Sequence, residues 1–580
     1  MKIRNLLLAG LMPILAWSCS EDALQGGGTT TPEAASKKYM EVSIKMPATT
    51  RTDTHEGMGT EPGKTYENAV HEVLVVVLNS DNQNKEGDIC FVKSVKTAAN
   101  NDEKTEGVHT SNSTVKARIN NVILETGSNN YYIVYAFINP TREMVEKYRG
   151  ATGTGWKDFH EQAAAGTNVT DFIDLYAHTA DGGRFFMTDT GADAELKTYE
   201  SKEAKIFVEQ GTPGSGEYKL STTVKVERAV ARFDYKAHNE DNIYYFPLDQ
   251  NGNEPTVADA DLAIKLEGYK LMNVSKSFYH LRRVTKANAT GTAASEASTD
   301  ITYGGLETST NYVVDYDWTQ KKDWLASLDA DDEFDKRAGL FFTPLNPLEN
   351  TVESVKYTLL ANLNIEDDEN YKGKDYHIMG YCTENTIPSI AGQLSGISTA
   401  MVFKAKVSGS LMEQAEDMAA LYEYNGKVYN KWNDFKMAWN DSDGNEDNQI
   451  SGDKEPTGDE LKKLKKKING QVKRIPISGE TGNKYGYVYY IYRNRHNDNG
   501  YPAVMGTMEF AVVRNNIYKL TVSKIAKLGY TNDPTEPPTT DPEPEVDPPT
   551  PDLPDEDSKA YMEVNVEILN WTVRENEIEF

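Results

Sequence analysis

Alternating apolar and polar residues mark two similar strands, one near each end of the chain. The first covers residues 38–46 and places on one face Met40, Val42, Ile44 and Met46. The second covers residues 560–568 and places at the matching positions Met562, Val564, Val566 and Ile568. A period of two predicts β-strands with one buried face, and both copies contain Tyr-Met-Glu-Val. We interpret the first as a leaving strand and the second as its replacement in the same groove.

Further strand patterns run through the rest of the chain and predict an all-β fold. Residues 73–78 and 131–138 are continuous apolar runs typical of buried strands, whereas residues 224–235 alternate. The 33 tyrosines also favour sheets. Charged residues around Leu461, Leu464 and Ile468 predict a short surface helix over 459–468. We therefore expect sheets with short helical insertions.

Two segments rich in turn-forming residues divide the chain. Residues 209–221 contain Gly, Pro and Ser and are predicted to link two domains. Residues 533–557, the tether, are dominated by Pro, Asp, Glu and Thr and favour extended polyproline II. The second strand copy follows the tether. Such a strand needs a sheet edge, either in its own chain or in a neighbouring one.

The N-terminus predicts export and attachment of a lipid. Lys2 and Arg4 precede a short apolar run over residues 6–15, and Cys19 follows. This order resembles a bacterial lipoprotein signal with Cys19 as the lipidated residue. An ordinary secretory signal with an unrelated cysteine is the alternative. Cys90 and Cys382 are the other cysteines, and we expect both to be free thiols.

A lone arginine follows the first strand copy. Arg51 lies in a run of Ala, Thr and Asp and is the only arginine between Arg4 and Arg118. We expect an arginine-specific protease to cut between Arg51 and Thr52, which would remove the leaving strand. A solvated arginine without a role is the alternative. Head-to-tail donation of the second copy would then build an open filament, because such a contact is heterologous.

Composition and motifs argue against several other functions. The net charge of −28, without a large basic block, disfavours nucleic acid as a partner. The chain has no zinc-binding His-Glu-x-x-His pair, no Gly-x-Ser-x-Gly elbow and no P-loop. We predict no catalytic residue, no metal site and no cofactor, and hence no enzyme. Residues 441–447 faintly resemble a calcium loop, but an acidic solvated turn is the preferred interpretation.

Several segments resemble the type V pilus fimbrilins of Bacteroidetes, in particular their stalk subunits. The likeness lies in residues 226–232, in residues 513–530 and in the C-terminal end that follows the tether. It implies two transthyretin-like β-sandwich domains, a lipid on Cys19 of the precursor, and cleavage after Arg51. It also implies donor strands that fill the groove of the next subunit and contain Tyr561, Met562, Val564, Val566, Ile568, Trp571 and Val573.

The expected organisation follows from these observations. It comprises a signal peptide (1–19), a propeptide with the leaving strand (20–51), an N-terminal β-sandwich (52–220), a C-terminal β-sandwich (221–532), the tether (533–557) and donor strands (558–580). We expect a structural subunit of a cell-surface fimbria that supports adhesion. Its expected partners are other copies of itself, tip and anchor subunits, an arginine-specific protease and the outer membrane. The alternatives are a non-polymerising surface lipoprotein that binds a glycan or host protein, and a tip or anchor subunit.

Overall fold

Strands dominate the part of the chain that the structure describes. The computed structural model describes residues 37–45, 60–80, 86–110, 115–124, 131–161, 166–168, 184–190, 207–210, 217–275, 277–286, 300–303, 305, 307–308, 310–326, 358–360, 376–394, 396–415, 418–443, 448–468, 471–497, 505–534 and 562–572. The all-β class predicted from the alternation is confirmed.

The strands fall into groups along the chain. Those of the first half are β1 Lys37–Lys45, β2 Thr60–Pro62, β3 Glu72–Ser80, β4 Glu86–Lys96, β5 Gly107–Thr110, β6 Val115–Asn120, β7 Tyr131–Ile138, β8 Gly166–Asn168, β9 Met187–Asp189, β10 Phe207–Gln210, β11 Glu217–Arg228, β12 Ala231–Ala237, β13 Ile243–Phe246 and β14 Leu262–Met272. Those of the second half are β15 Ser277–Tyr279, β16 Arg283–Thr285, β17 Ile301–Tyr303, β18 Thr358–Leu359, β19 His377–Cys382, β20 Ala400–Ser408, β21 Ala420–Tyr424, β22 Lys427–Tyr429, β23 Val472–Pro476, β24 Gly486–Arg493, β25 Asn516–Ile525 and β26 Met562–Thr572.

Short helices join or decorate the sheets. The described ones are α1 Arg142–Gly150, α2 Trp156–Glu161, α3 Trp318–Ala326, α4 Ser410–Glu413, α5 Trp432–Asp443 and α6 Gly458–Ile468. The Thr141 side chain caps α1 by accepting a hydrogen bond from the Met144 N–H at 3.2 Å. The predicted helix over 459–468 is confirmed as α6, which buries Leu464 and Ile468 beneath its lysines.

The first domain is a sandwich whose two layers share the long strand β11. Its strand order is β4-β3-β7-β9-β11-β1-β6-β5, with β10 also paired to β11. The apolar run 73–78 is confirmed as the centre of β3, and the run 131–138 as β7, paired along its length with β3. Both strands contribute to a core that also includes side chains of β1.

The second domain is a sandwich of two separate sheets. One has the order β19-β12-β25-β26-β2 and the other the order β13-β14-β20-β24, with β18 paired to β14. Their facing apolar side chains form one core. Between β20 and β24 the chain makes a small insertion, in which β22-β21-β23 packs with α5 and α6 around the rings of Trp432, Phe435 and Trp439.

The change from first to second domain falls at residues 229–230. The expected linker, 209–221, contains the end of β10 and the start of β11, which pair with each other as Phe207 opposite Ser221. The alternating run 224–235 is two strands rather than one, because β11 stays in the first domain while β12 pairs with β25 and β19. The expected boundary at 220/221 therefore lies inside β11.

Candidate functional site

The first strand copy, β1, lies between two neighbours inside the first domain. It runs parallel to β11 over residues 37–45 and antiparallel to β6 over residues 39–44. Met40 and Val42 are 0% exposed and Ile44 is 4% exposed, as the alternation predicts. The apolar side chains and the backbone of β1 thus fill a groove between β6 and β11.

The other face of β1 carries charged and aromatic contacts. Glu41 lies 3.1 Å from the Lys219 ammonium on β11 and 3.5 Å from the Lys116 ammonium on β6. Arg118 stacks 3.7 Å above the Tyr39 ring. Burial raises the pKa of Glu41, but the two lysines outweigh it and hold that pKa below its ordinary value. The groove therefore has an apolar wall and a basic rim.

The second strand copy, β26, lies in the second domain of its own chain. It runs antiparallel to β25, with Met562 opposite Ile525 and Asn570 opposite Asn516. Its other edge pairs in parallel with β2 at residues 570–572. The Met562 side chain is buried in the second core. The structure thus places the two copies in different sheets of one molecule.

The remaining predicted site residues are distributed around these two strands. On the backbone of β26 lie Val564, Val566, Ile568 and Trp571. Outside the described residues lie Cys19, Met46, Arg51, Thr52, Tyr561 and Val573.

A buried charge cluster holds β2 against β25 and β12. The Glu61 carboxylate on β2 accepts a hydrogen bond from Arg232 Nη2 at 2.7 Å and forms an ion pair with Lys519 on β25. Arg232 also pairs with Asp234 at 2.7 Å and with Glu67 at 3.1 Å. Burial opposes the charged form of Glu61, but Arg232 and Lys519 hold its pKa below the ordinary value. β26 therefore lies beside a strand that is anchored by buried ion pairs.

This cluster was not predicted from the sequence, and neither Glu61 nor Glu67 was assigned a role. One signal was present, because Arg232 and Asp234 are oppositely charged and lie on the same face of an alternating strand. Charged residues at core positions need partners, and here the partners come from the segment just after the expected cleavage site.

Buried polar contacts also join the two domains. The Arg228 backbone N–H at the end of β11 donates to Asn515 Oδ1 at 3.1 Å, and Arg228 Nε donates to the Glu67 carbonyl at 3.3 Å. Nearby, Glu227 pairs with Arg282 at 2.5 Å. Burial raises the pKa of Glu227 to about 7, although Arg282 opposes the shift. The position of the first domain on the second is thus fixed by residues on both sides of the junction.

Cysteine and metal chemistry add little to the described part of the chain. Cys90 and Cys382 are free thiols, as expected. Burial raises the pKa of the Cys90 thiol to about 11 and also raises that of Cys382, so both stay protonated at neutral pH. Among the described residues, no cluster of His, Cys, Asp and Glu is placed to hold a metal ion. Asp441 and Asp443 of the suggested calcium loop lie at the end of α5, and residues 444–447 lie outside the described ranges.

The described helices were compared with the length and apolar character of a membrane-spanning helix. None of the helices in the described ranges combines the length and the apolar character needed to cross a bilayer.

Fold and site together define a two-domain β-sandwich protein whose two terminal strand copies are both inserted between neighbouring strands. Residues 483–577, which contain β24, β25 and β26, match the family model of the fimbrillin C-terminal region, described as major fimbrial subunit protein type IV. The C-terminal region of the chain is therefore similar to the C-terminal region of fimbrial subunits.

Three solved structures resemble the chain at low identity. A candidate cell adhesion protein from Parabacteroides distasonis is 12% identical, with a TM-score of 0.38, over 93% of this chain and 98% of its own. The tip fimbrial protein Mfa3 from Porphyromonas gingivalis is 11% identical, with a TM-score of 0.33, over 92% of this chain and 100% of its own. A fimbrilin from the same organism is 11% identical, with a TM-score of 0.28, over 92% of this chain and 98% of its own. No curated protein sequence matches the chain.

Proposed function

We propose that this chain is a structural subunit of a cell-surface fimbria that polymerises by protease-triggered donor-strand exchange and supports adhesion. In this proposal β1 leaves the first domain and the C-terminal strand copy of another molecule takes its place. Association with other copies, and with tip and anchor subunits, follows from the same mechanism. The family match to fimbrial subunits supports the general class.

The groove around β1 is the observation that carries the proposal. Loss of β1 would leave the backbone groups of β6 and β11 unpaired and would expose an apolar wall, which a second strand can cover. The two copies share Tyr-Met-Glu-Val, so Glu563 would take the place of Glu41 between Lys116 and Lys219. Tyr561 would likewise take the place of Tyr39 beneath Arg118. The C-terminal copy therefore matches both the apolar wall and the basic rim.

Maturation would make the groove available. We propose that Cys19 carries a lipid that holds the precursor at the outer membrane, and that an arginine-specific protease cuts between Arg51 and Thr52. This cut separates β1 from β2, which stays anchored through Glu61 and Glu67. The first strand copy can then leave while the rest of the chain remains folded. The domain organisation is retained, with the change of domain moved to residues 229–230.

Two other functions make different predictions. A surface lipoprotein that binds a glycan or host protein would not polymerise, and its tether would serve only as a spacer. A tip subunit would have no need to accept a donor strand, and an anchor subunit would have no need to give one. In this proposal the chain has both a removable strand copy and a tethered one, which favours the stalk.

Electron microscopy of the protease-treated protein tests the proposal. The intact chain should form filaments, whereas deletion of residues 558–580 should leave folded monomers without filaments. Arg51→Ala should retain β1 and also remain monomeric, and mass spectrometry of the mature subunit should find Thr52 at its N-terminus. Filaments of normal length from the deletion variant would contradict strand donation. A different mature N-terminus would contradict the cleavage site alone.

A further inference from the structure

The sheet β13-β14-β20-β24 has an outer face lined with tyrosines and lysines. Its inner face contributes Phe403, Ala405 and Val407 of β20 to the second core. Because side chains alternate along a strand, the residues between them point outward. We define the Tyr/Lys face as five residues on this outer side of the sheet. They are Lys404 and Lys406 of β20, Tyr487 and Tyr489 of β24, and Tyr485 just before β24.

The members of the Tyr/Lys face lie close together. The Lys404 ammonium is 4.2 Å from the Tyr487 ring centroid, and the Lys406 ammonium is 4.5 Å from that of Tyr485. The Tyr485 and Tyr487 rings are 5.5 Å apart. All five side chains are half-buried. The face thus offers aromatic surface and positive charge side by side.

The segment that leads into the tether joins this sheet at the edge of β24. Tyr530 and Tyr489 exchange two backbone hydrogen bonds, each of 2.8 Å, at the edge of β24. Gly529 allows this approach, because a Cβ at this position would lie only 2.3 Å from the Tyr489 carbonyl oxygen. Three residues later, the Asp533 carboxylate lies 3.8 Å from the ammonium of Lys270 on β14.

Asp533 reaches Lys270 from the outside of the sheet. Lys270 pairs with Val402 of β20, which has the same outward parity as Lys404 and Lys406. Val402 in turn pairs with Ile491 of β24, two residues beyond Tyr489. Residues 530–533 therefore pass from the edge strand β24 across β20 to β14, next to the Tyr/Lys face.

The rest of the tether has chemistry that complements this face. Residues 535–557 contain prolines and acidic residues throughout and have neither lysine nor arginine. Polyproline II segments bind aromatic-lined surfaces through their prolines, and the acids would meet the two lysines. β26 starts opposite Ile525, which precedes the tether by eight residues in the sequence. Residues 535–561 could extend on the order of 80 Å at about 3.1 Å per residue, so they have ample slack to follow the sheet and return.

We propose that residues 535–557 bind the Tyr/Lys face of the same molecule while β26 is paired with β25. Each contact is weak, but attachment at both ends raises the effective concentration of the tether to the millimolar range. The tether would then be stored on the second domain and would leave this face when β26 leaves β25. The proposal concerns the single molecule and does not depend on strand exchange.

Carbodiimide cross-linking of the dilute, full-length monomer tests the proposal, because it joins a lysine directly to a contacting carboxylate. We expect Lys404 or Lys406 to link to acids between residues 536 and 552 within one molecule. The control lysines are Lys462 and Lys463 on the exposed side of α6. Links to the tether that are no more frequent from the Tyr/Lys face than from α6 would overturn the proposal. Links that occur only between two molecules would also overturn it.

Proteolysis provides a second measurement that does not need the two lysines to react. A Glu-specific protease should cut the tether after Glu545 and after Glu556, because proline follows both Glu536 and Glu543. We expect severalfold faster cutting of the tether in Lys404→Gln/Lys406→Gln, in Tyr485→Ala/Tyr487→Ala and in the wild type at 1 M salt. Lys427→Gln is the matched control, since Lys427 also lies over a tyrosine, Tyr429, but in the insertion. Equal rates in the wild type and both double variants would overturn the proposal.

Discussion

The two terminal strand copies differ in how their edges are covered. β1 has a neighbour along most of its length on both sides, with pairing to β11 over residues 37–45 and to β6 over residues 39–44. β26 pairs with β25 over a similar length, but among the described residues β2 covers its other edge only at 570–572. Separation of β26 therefore breaks fewer inter-strand hydrogen bonds than separation of β1.

The same alternating pattern therefore occurs in two strands that are held with different strength. The alternation determines which face of each strand is buried, whereas the neighbours determine how firmly the strand is held. β1 is held on both edges, by β11 and by β6. β26 is held mainly on one edge, and its short pairing with β2 at residues 570–572 lies beside the charge cluster around Glu61.

Met40→Asp should have the largest effect, because it places a carboxylate at a position of β1 that is 0% exposed. Met40 packs in the apolar core of the first domain, so the charge would be buried without compensation. We expect the free energy of unfolding of the first domain to fall by about 3–5 kcal/mol. Urea unfolding, followed by hydrogen exchange in β6 and β11, measures the loss.

Ser43→Asp is the matched control for Met40→Asp. Ser43 lies on the opposite face of the same strand, is half-buried and pairs with Lys116 in the ladder. We expect a change below about 0.5 kcal/mol. Equal losses in the two variants would show that β1 does not have one buried face, and the groove interpretation would fail.

Glu61→Gln should have an intermediate effect and should act on β26 rather than β1. The variant leaves Lys519 without its buried carboxylate partner, while Arg232 keeps Asp234 and Glu67. We expect a loss of about 1–3 kcal/mol and faster hydrogen exchange of the β26 amides at 570–572. Glu146→Gln is the control, because its ion pair with Arg142 is solvent-exposed. Unchanged hydrogen exchange in β26 would show that the charge cluster does not stabilise the pairing of β2 with β26.

The sequence predicted the faces of these strands but not their partners. Alternation alone identifies the buried side chains of β1, because a period of two is a local property. The partners β6 and β11 come from segments far along the chain, and no local pattern encodes such pairing. The domain junction was misplaced because Gly, Pro and Ser mark hairpin turns as readily as linkers. The cluster around Glu61 was missed because its charges meet only after both sheets have formed.

Glu41→Gln should have the smallest effect and tests whether the basic rim can accept a donor. Glu41 contacts both Lys116 and Lys219, yet these ion pairs are partly exposed, so we expect a loss of about 0.5–1 kcal/mol at pH 7. The pKa of Glu41 is lowered in the folded protein, because the lysines outweigh burial. Its stabilisation is therefore present above the ordinary value of about 4.5 and is lost as pH falls through the folded pKa.

The wild type and Glu41→Gln should thus differ in urea unfolding at pH 7, and the difference should shrink as pH falls below about 4.5. A difference that stays constant as pH falls would assign the effect to packing rather than to charge. Glu563→Gln gives the complementary measurement, because Glu563 is the ladder partner of Lys524 in its own chain and would lie between Lys116 and Lys219 after the proposed exchange. If the two copies use the same rim, Glu563→Gln should weaken filaments and Lys219→Gln should weaken them to a similar extent. If only one of these two variants weakens the filaments, Glu563 of the donor strand does not bind the basic rim.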